Sequence, residues 1–109
     1  MPKALLIILP FIMLGCVSYE PYIYDGDRNL SGQFEGHGRL ALPTGEKYTG
    51  EWLQGKRHGQ GTNVWPTGEK YIGGWARGKR TGHGTNIRPD GEKYVGEWKD
   101  DKKLRGSVR

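Results

Sequence analysis

Three histidines are the residues of this sequence that most directly invite a metal-binding interpretation. His37 and His83 occupy equivalent places between paired glycines, whereas His58 lies two positions before the corresponding place, which Gln60 fills. The single cysteine, Cys16, follows an apolar run far from all three. Since a metal site needs ligands at a defined spacing, we expect neither a metal nor a cofactor.

Recurring glutamates are the second candidate for chemistry, as paired carboxylates can act in general acid–base catalysis. They precede a lysine at every short turn, as Glu46-Lys47, Glu69-Lys70 and Glu92-Lys93. A catalytic group is normally unique, and repetition at one phase is typical of solvated edge charges and cross-strand pairs. The Gly-x-Gly pairs precede no predicted helix, which a dinucleotide-binding fingerprint requires. We therefore expect a non-enzymatic protein.

Positive charge gathers at the longer turns of a chain whose formal net charge is +5. The candidate residues are Lys56, Arg57, Lys79 and Arg80. One interpretation is that they keep the protein soluble and discourage edge pairing. The other is that they contact an anionic surface, either membrane lipid or an acidic partner.

The first sixteen residues, MPKALLIILPFIMLGC, contain an apolar run from Ala4 to Leu14. That length fits a signal-peptide core and is well short of the ~20 residues that span a bilayer. The run ends in Met13-Leu14-Gly15-Cys16, which resembles the lipobox of bacterial lipoproteins. The resemblance implies that residues 1–15 are removed and that Cys16 carries an anchoring lipid. An ordinary signal peptide cut elsewhere, or a retained interfacial anchor, is the alternative.

The predicted export also limits where the protein is expected to be located and which partners it is expected to meet. The resemblance implies a bacterial cell envelope, and Val17 after the cysteine, where no aspartate stands, favours the outer membrane facing the periplasm in a Gram-negative host. An exported protein is not expected to bind nucleic acid. The membrane, through the lipid, and a protein partner are the expected contacts.

The rest of the chain repeats itself with a period of 23 residues, counted between Tyr48, Tyr71 and Tyr94. A period of this length indicates a stacked array. A degenerate copy precedes it, in which Leu30 and Phe34 stand in for tyrosine and tryptophan. We divide the chain into a signal peptide (1–15), a tether (16–29) and an array (30–109) with units at about 30–47, 48–70, 71–93 and 94–109.

Within each unit the aromatic residues and glycines share one face of a predicted strand. Alternation places Tyr48, Gly50 and Trp52 together, and a glycine between two aromatics leaves a slot into which a ring can lie. Turn sequences such as Pro66-Thr67-Gly68 separate the strands. The predicted fold is all-β, a single-layer antiparallel meander of β-hairpins. The residues given this structural role are Tyr48, Gly50, Trp52, Gly59, Gly61, Tyr71, Gly73, Trp75, Gly82, Gly84, Tyr94, Gly96 and Trp98.

This pattern resembles the MORN (membrane occupation and recognition nexus) repeat, which reads roughly YxGxWxxGxxxGxGxxxxxxG. The resemblance covers about residues 30–109 and implies a curved β-array that acts as a scaffold for proteins or, in some members, contacts membranes. In the last unit Asp101 replaces the turn glycine and Gly106 falls out of step, so we do not expect a regular final hairpin.

The predicted function is a membrane-anchored, non-enzymatic scaffold or protein-interaction module at the cell envelope. The alternative is a module that binds anionic lipid through the basic turns, with an enzyme a distant third. The faces carrying Trp52, Trp75 and Trp98 are interpreted as the core of the layer, with a partner groove as the competing interpretation.

Overall fold

The computed structural model describes residues 22–108, which form one sheet of eight strands. The strands are β1 (Ile23–Arg28), β2 (Phe34–Ala41), β3 (Lys47–Leu53), β4 (Lys56–Val64), β5 (Lys70–Ala76), β6 (Lys79–Ile87), β7 (Lys93–Lys99) and β8 (Lys102–Val108). Each pairs antiparallel with its neighbours in chain order. The predicted all-β, single-layer meander is confirmed. The predicted signal peptide, Cys16 and the start of the tether lie outside the described residues.

The first strand corrects the predicted tether, because Ile23–Arg28 pairs with β2. Tyr24 and Gly26 repeat the Tyr-x-Gly spacing of the later units, and Gly26 lies opposite Gly38. Tyr24 therefore takes the tyrosine position of the first hairpin. Leu30, which the alignment of the internal repeats placed at that position, is fully exposed in the turn.

A row of glycines crosses the sheet from one edge to the other, one from each strand. The row consists of Gly26, Gly38, Gly50, Gly61, Gly73, Gly84, Gly96 and Gly106. Each glycine lies opposite the next, so at this level of the sheet no side chain covers the backbones of neighbouring strands. This row is where the aromatic rings of each unit come to lie.

The final hairpin is regular, which corrects the expectation drawn from Asp101 and Gly106. Gly106 lies opposite Gly96, as Gly84 lies opposite Gly73. In β4 two residues bulge out between the pairs Gly50–Gly61 and Glu51–His58, whereas in β8 only Leu104 does so between Glu97–Arg105 and Trp98–Lys103. A smaller β-bulge thus absorbs the missing residue and keeps the register.

Across the part of the chain that the structure describes, no helix is long and apolar enough to cross a membrane.

Candidate functional site

Tyrosines and tryptophans form one continuous ladder of edge-to-face contacts along the sheet. Tyr48 contacts Trp52 and Trp75 with ring centroids 4.9 and 5.5 Å apart, and Tyr71 contacts Trp75 and Trp98 at 5.2 Å each. The interplanar angles lie between 79° and 88°. Aromatic pairs favour this geometry because a positive ring edge meets a negative ring face. We call the side of the sheet that carries this ladder the aromatic face.

Each tyrosine ring lies over a pair of row glycines. A Cβ atom at Gly61 would come 2.0 Å from the Tyr48 hydroxyl, and one at Gly84 would come 2.1 Å from that of Tyr71. The hydroxyl of Tyr48 donates to the carbonyl oxygen of Glu51 at 2.9 Å. Burial raises the pKa of both Tyr48 and Tyr71 to about 12. The glycines therefore make room for neutral, buried phenols.

The two glycines of β4, and likewise the two of β6, have different roles, which refines the sequence interpretation. Gly61 and Gly84 lie under tyrosine rings, but Gly59 and Gly82 sit at the bulges with φ of 63° and 72°. Glycine adopts such left-handed angles without the cost that a Cβ brings. A Cβ at Gly82 would meet nothing within 4 Å, so backbone angle and not space selects glycine there.

The tryptophans are core residues and together form no exposed groove, although the buried Trp98 also borders the groove described below. Trp52, Trp75 and Trp98 are only 5%, 5% and 3% exposed. Each indole N–H donates to a glycine carbonyl on the preceding even strand, at 3.1 Å to Gly38, 3.1 Å to Gly61 and 3.3 Å to Gly84. The interpretation of these rings as a partner groove is therefore wrong.

The predicted basic surface divides between the two sides of the sheet, because neighbouring side chains alternate along a strand. Arg57 and Arg80 lie on the aromatic face, with guanidinium carbons 5.2 Å from the Tyr48 centroid and 4.7 Å from the Trp98 centroid. Their side chains are only 22% and 20% exposed. Lys56 and Lys79 are exposed on the opposite side. The four cannot meet one flat surface together, and the arginines serve the packing of the array through cation–π contacts.

The glutamate before β3 is not the solvated edge charge that its repetition suggested. Glu46 accepts hydrogen bonds from Arg57 and from the side chain of Asn63, both at 3.1 Å, and Arg57 also donates to Asn63 Oδ1 at 3.2 Å. Asn63 is fully buried. This closed triad satisfies the polar groups over Tyr48. Sequence reasoning missed it, although the recurrence of Asn63 and Asn86 at the period of 23 was an available signal.

In the next unit the same triad is open. Asn86 donates to Glu69 at 2.7 Å, but Arg80 pairs with Asp101, whose carboxylate accepts from its Nε at 3.0 Å and its backbone N–H at 2.9 Å. Asn86 Oδ1 is buried without a partner among the described residues. Burial alone would raise the pKa of Asp101, but the hydrogen bonds from Arg80 and its positive charge outweigh burial. The pKa of Asp101 is therefore lowered from its usual value. The replacement of a turn glycine by Asp101 thus redirects Arg80.

An open groove of about 660 Å³ lies beside this second triad. Its lining includes Trp98 and Asn86, the carboxylates of Glu69 and Asp101, and the cations of Arg80, Arg88, Lys102 and Lys103. The groove lies on the aromatic side, so charge changes at its border serve as a control for changes on the opposite side of the sheet.

The opposite side of the sheet, which we call the lysine face, carries regularly spaced cations. One row contains Lys47, Lys70 and Lys93, which begin the odd strands, and Lys56 and Lys79 begin even strands at the other end. Units recur every two strands, or roughly 10 Å. Thr49 and Ile72 between the rows are exposed, the latter by 46%. This face has no covering layer within residues 22–108.

The histidines lie apart from one another on exposed positions. His37 pairs across strands with Glu51, and His83 Nε2 lies 3.3 Å from Glu97 Oε2. Within residues 22–108 there is no group of three or more His, Cys, Asp or Glu side chains that could hold a metal ion. What the histidines share is a place opposite a glutamate on a neighbouring strand, which is Glu51 for both His37 and His58.

The fold and the ladder define a β-hairpin repeat array whose aromatic face is its own core. The model of the MORN repeat matches residues 30–47, 48–70, 71–93 and 94–103. The chain therefore belongs to the MORN repeat family, a non-catalytic type of module that generally mediates protein or membrane interactions. No curated protein matches the chain.

Proposed function

We propose that this protein is a lipid-anchored, non-enzymatic scaffold of the bacterial cell envelope, which holds an acidic protein partner against its lysine face. The observation that carries the proposal is the division of cations between the two sides of the sheet. Arg57 and Arg80 are engaged with rings and carboxylates, whereas Lys56 and Lys79 are exposed. Only the second pair is available to a partner.

The spacing of the lysines favours a partner with acidic groups on an extended surface. Lys47, Lys70 and Lys93 follow one another at about 10 Å per unit, which exceeds the Debye length of ~8 Å at physiological ionic strength. Each lysine therefore acts nearly independently, and the partner gains by matching several of them. Exposed threonine and isoleucine side chains between the rows supply neutral contact area.

The proposed anchor rests on the sequence Met13-Leu14-Gly15-Cys16, which lies outside the described residues. A single acyl chain gives only marginal membrane binding, and two or more give stable anchoring. A fully acylated Cys16 would keep the array at the membrane even when no partner is bound. In a Gram-negative host the proposed place is the outer membrane, facing the periplasm.

Substituting Cys16 by serine tests the anchor. Cys16→Ser should abolish incorporation of a fatty-acid probe and leave the leader uncut, because the acceptor thiol is lost. Labelling and gel mobility are measured in the bacterial host, with Ser18→Ala as the matched control, which should label like the wild type. Equal labelling of the wild type and Cys16→Ser would contradict the lipoprotein assignment.

Anionic lipid is the second candidate occupant of the lysine face, favoured by the same exposed lysines, each worth ~1 kcal/mol near such a surface. Residues 17–109 without lipid separate the two. A scaffold should remain in the supernatant with vesicles of phosphatidylglycerol and phosphatidylethanolamine, whereas a lipid-binding module should sediment at low salt and be released as salt rises.

A further inference from the structure

The two edges of the sheet carry opposite charge. Within residues 22–108, β1 and β8 each pair with a neighbour on one side only. β8 contains Lys102, Lys103 and Arg105, a charge of +3, whereas β1 contains two aspartates and one arginine, a charge of −1. Two β8 strands side by side would repel one another, but β8 beside β1 brings unlike charges together. The charges therefore disfavour pairing of like edges and permit pairing of unlike ones.

The glycine row sets the register in which the two edges would meet. Wherever an even strand pairs with the following odd strand, row glycines lie opposite one another without a bulge, as Gly38–Gly50, Gly61–Gly73 and Gly84–Gly96 do. Gly106 ends the row at β8 and Gly26 begins it at β1. Since strand direction alternates along the meander, β8 would lie antiparallel to β1 of a copy translated along the array.

A base and an acid flank the row glycines at two of these three strand pairs, whereas Gln60 lies opposite Gly74 at the third. His37 lies opposite Glu51, and His83 lies opposite Glu97. In each case the histidine precedes the glycine of the even strand and the glutamate follows the glycine of the odd strand.

The two edge strands each carry one member of such a pair, a base on β8 and an acid on β1. Arg105 directly precedes Gly106, and Asp27 directly follows Gly26. A pairing that sets Gly106 opposite Gly26 therefore sets Arg105 opposite Asp27. The edges reproduce, with stronger charges, the contact found inside the sheet.

We propose that copies of this protein associate head to tail, with β8 of one copy antiparallel to β1 of the next, Gly106 opposite Gly26 and Arg105 opposite Asp27. The contact is heterologous, so the assembly keeps one free edge at each end and extends into a row. Backbone hydrogen bonds join the strands, and the charge pair selects the partner edge. The row would continue the lysine face across several copies.

Disulfide trapping tests the register in the full-length chain. Cross-strand Cβ atoms lie ~5 Å apart in antiparallel pairs, close enough for a disulfide after small adjustment. Asp27→Cys and Arg105→Cys chains, purified in detergent and mildly oxidised, should give a dimer linked 27 to 105 when mixed. The Asp27→Cys/Arg105→Cys double variant should give a ladder of multimers, since β1 and β8 of one chain lie at opposite ends of a sheet 50 Å long.

Thr62→Cys, in the central strand β4, is the control and should give no such ladder. The proposal is overturned if the mixture yields no 27-to-105 linkage by peptide mass analysis. It is equally overturned if Arg105→Cys homodimers dominate, because the edges would then meet by a two-fold axis.

Charge exchange tests the selectivity independently of any thiol. Arg105→Asp and Asp27→Arg should each lower the association constant about tenfold, as an opposite-charge pair becomes a like-charge pair. The Asp27→Arg/Arg105→Asp double variant should restore it. Sedimentation velocity in detergent gives the constants, with Lys47→Asp as an internal charge control that leaves association unchanged. If the double variant does not recover the wild-type association constant, the proposed pairing is overturned. This holds even if a single variant lowers association by destabilising β8.

Discussion

Replacing Trp75 by alanine is expected to lower the free energy of unfolding by about 4 kcal/mol. Trp75 lies between Tyr48 and Tyr71, is 5% exposed, and donates its indole N–H to the Gly61 carbonyl. The substitution leaves a cavity and separates the rings of adjacent units. Because a domain of this size has only about 5–10 kcal/mol of stability, the denaturant midpoint should fall steeply.

Two further variants separate the ring from its hydrogen bond. Trp75→Phe keeps a six-membered ring but loses the indole donor and part of the ring volume, so it should cost about 2 kcal/mol, less than the alanine variant. Ile72→Ala, on the lysine face of the same strand and 46% exposed, should change stability by no more than about 0.5 kcal/mol. A Trp75→Ala midpoint as high as that of Ile72→Ala would mean that the ladder is not the core.

The second large effect is expected at the glycine row. A Cβ at Gly73 would come 2.5 Å from the Gly84 Cα and 2.5 Å from the His83 carbonyl oxygen, which are both backbone atoms. Gly73→Val can fit only if β5 and β6 separate, so we expect a loss of about 3 kcal/mol, at the upper end for overpacking. Chemical denaturation followed by tryptophan fluorescence measures it.

Gly82→Asn is the matched control on the neighbouring strand. A Cβ there would meet nothing within 4 Å, and asparagine tolerates the φ of 72° better than other residues. Its midpoint should stay close to that of the wild type. If the Gly73→Val midpoint does so too, the strands do not approach one another as closely as the row requires.

The hairpin array was predictable because its signal is a repeated one. The period of 23 and the shared face of Tyr48, Gly50 and Trp52 predicted the strands and the core, and both follow from alternation and turn chemistry. The strand Ile23–Arg28 was missed, although Tyr24-Asp25-Gly26 carries the tyrosine–glycine spacing in a single, truncated copy. Tyr24 precedes Tyr48 by 24 residues, one more than the period, and Arg28 stands where the later units have tryptophan, so this copy does not fit the period.

The division of the basic residues needed the structure, yet the sequence contains part of the reason. Neighbouring residues on a strand face opposite ways, so Lys56 and Arg57 cannot both point to one surface. Which of them faces the rings depends on the register across the bulge, where Trp52 lies opposite Arg57. Contacts between residues distant in sequence, such as that of Glu46 with Asn63, depend on the same register and have no local signature.

We propose that the lysine face, and not the aromatic face, binds the partner of this protein. Capture of cross-linked proteins from envelope membranes, compared between Lys56→Glu/Lys79→Glu and Arg88→Glu/Lys103→Glu, tests it most directly. Both pairs change the charge equally, and Arg88 and Lys103 border the groove on the aromatic side. We predict that the lysine-face pair loses the specific cross-linked partner and the groove pair retains it. Retention by the lysine-face pair with loss by the groove pair would contradict the claim and assign binding to the aromatic side.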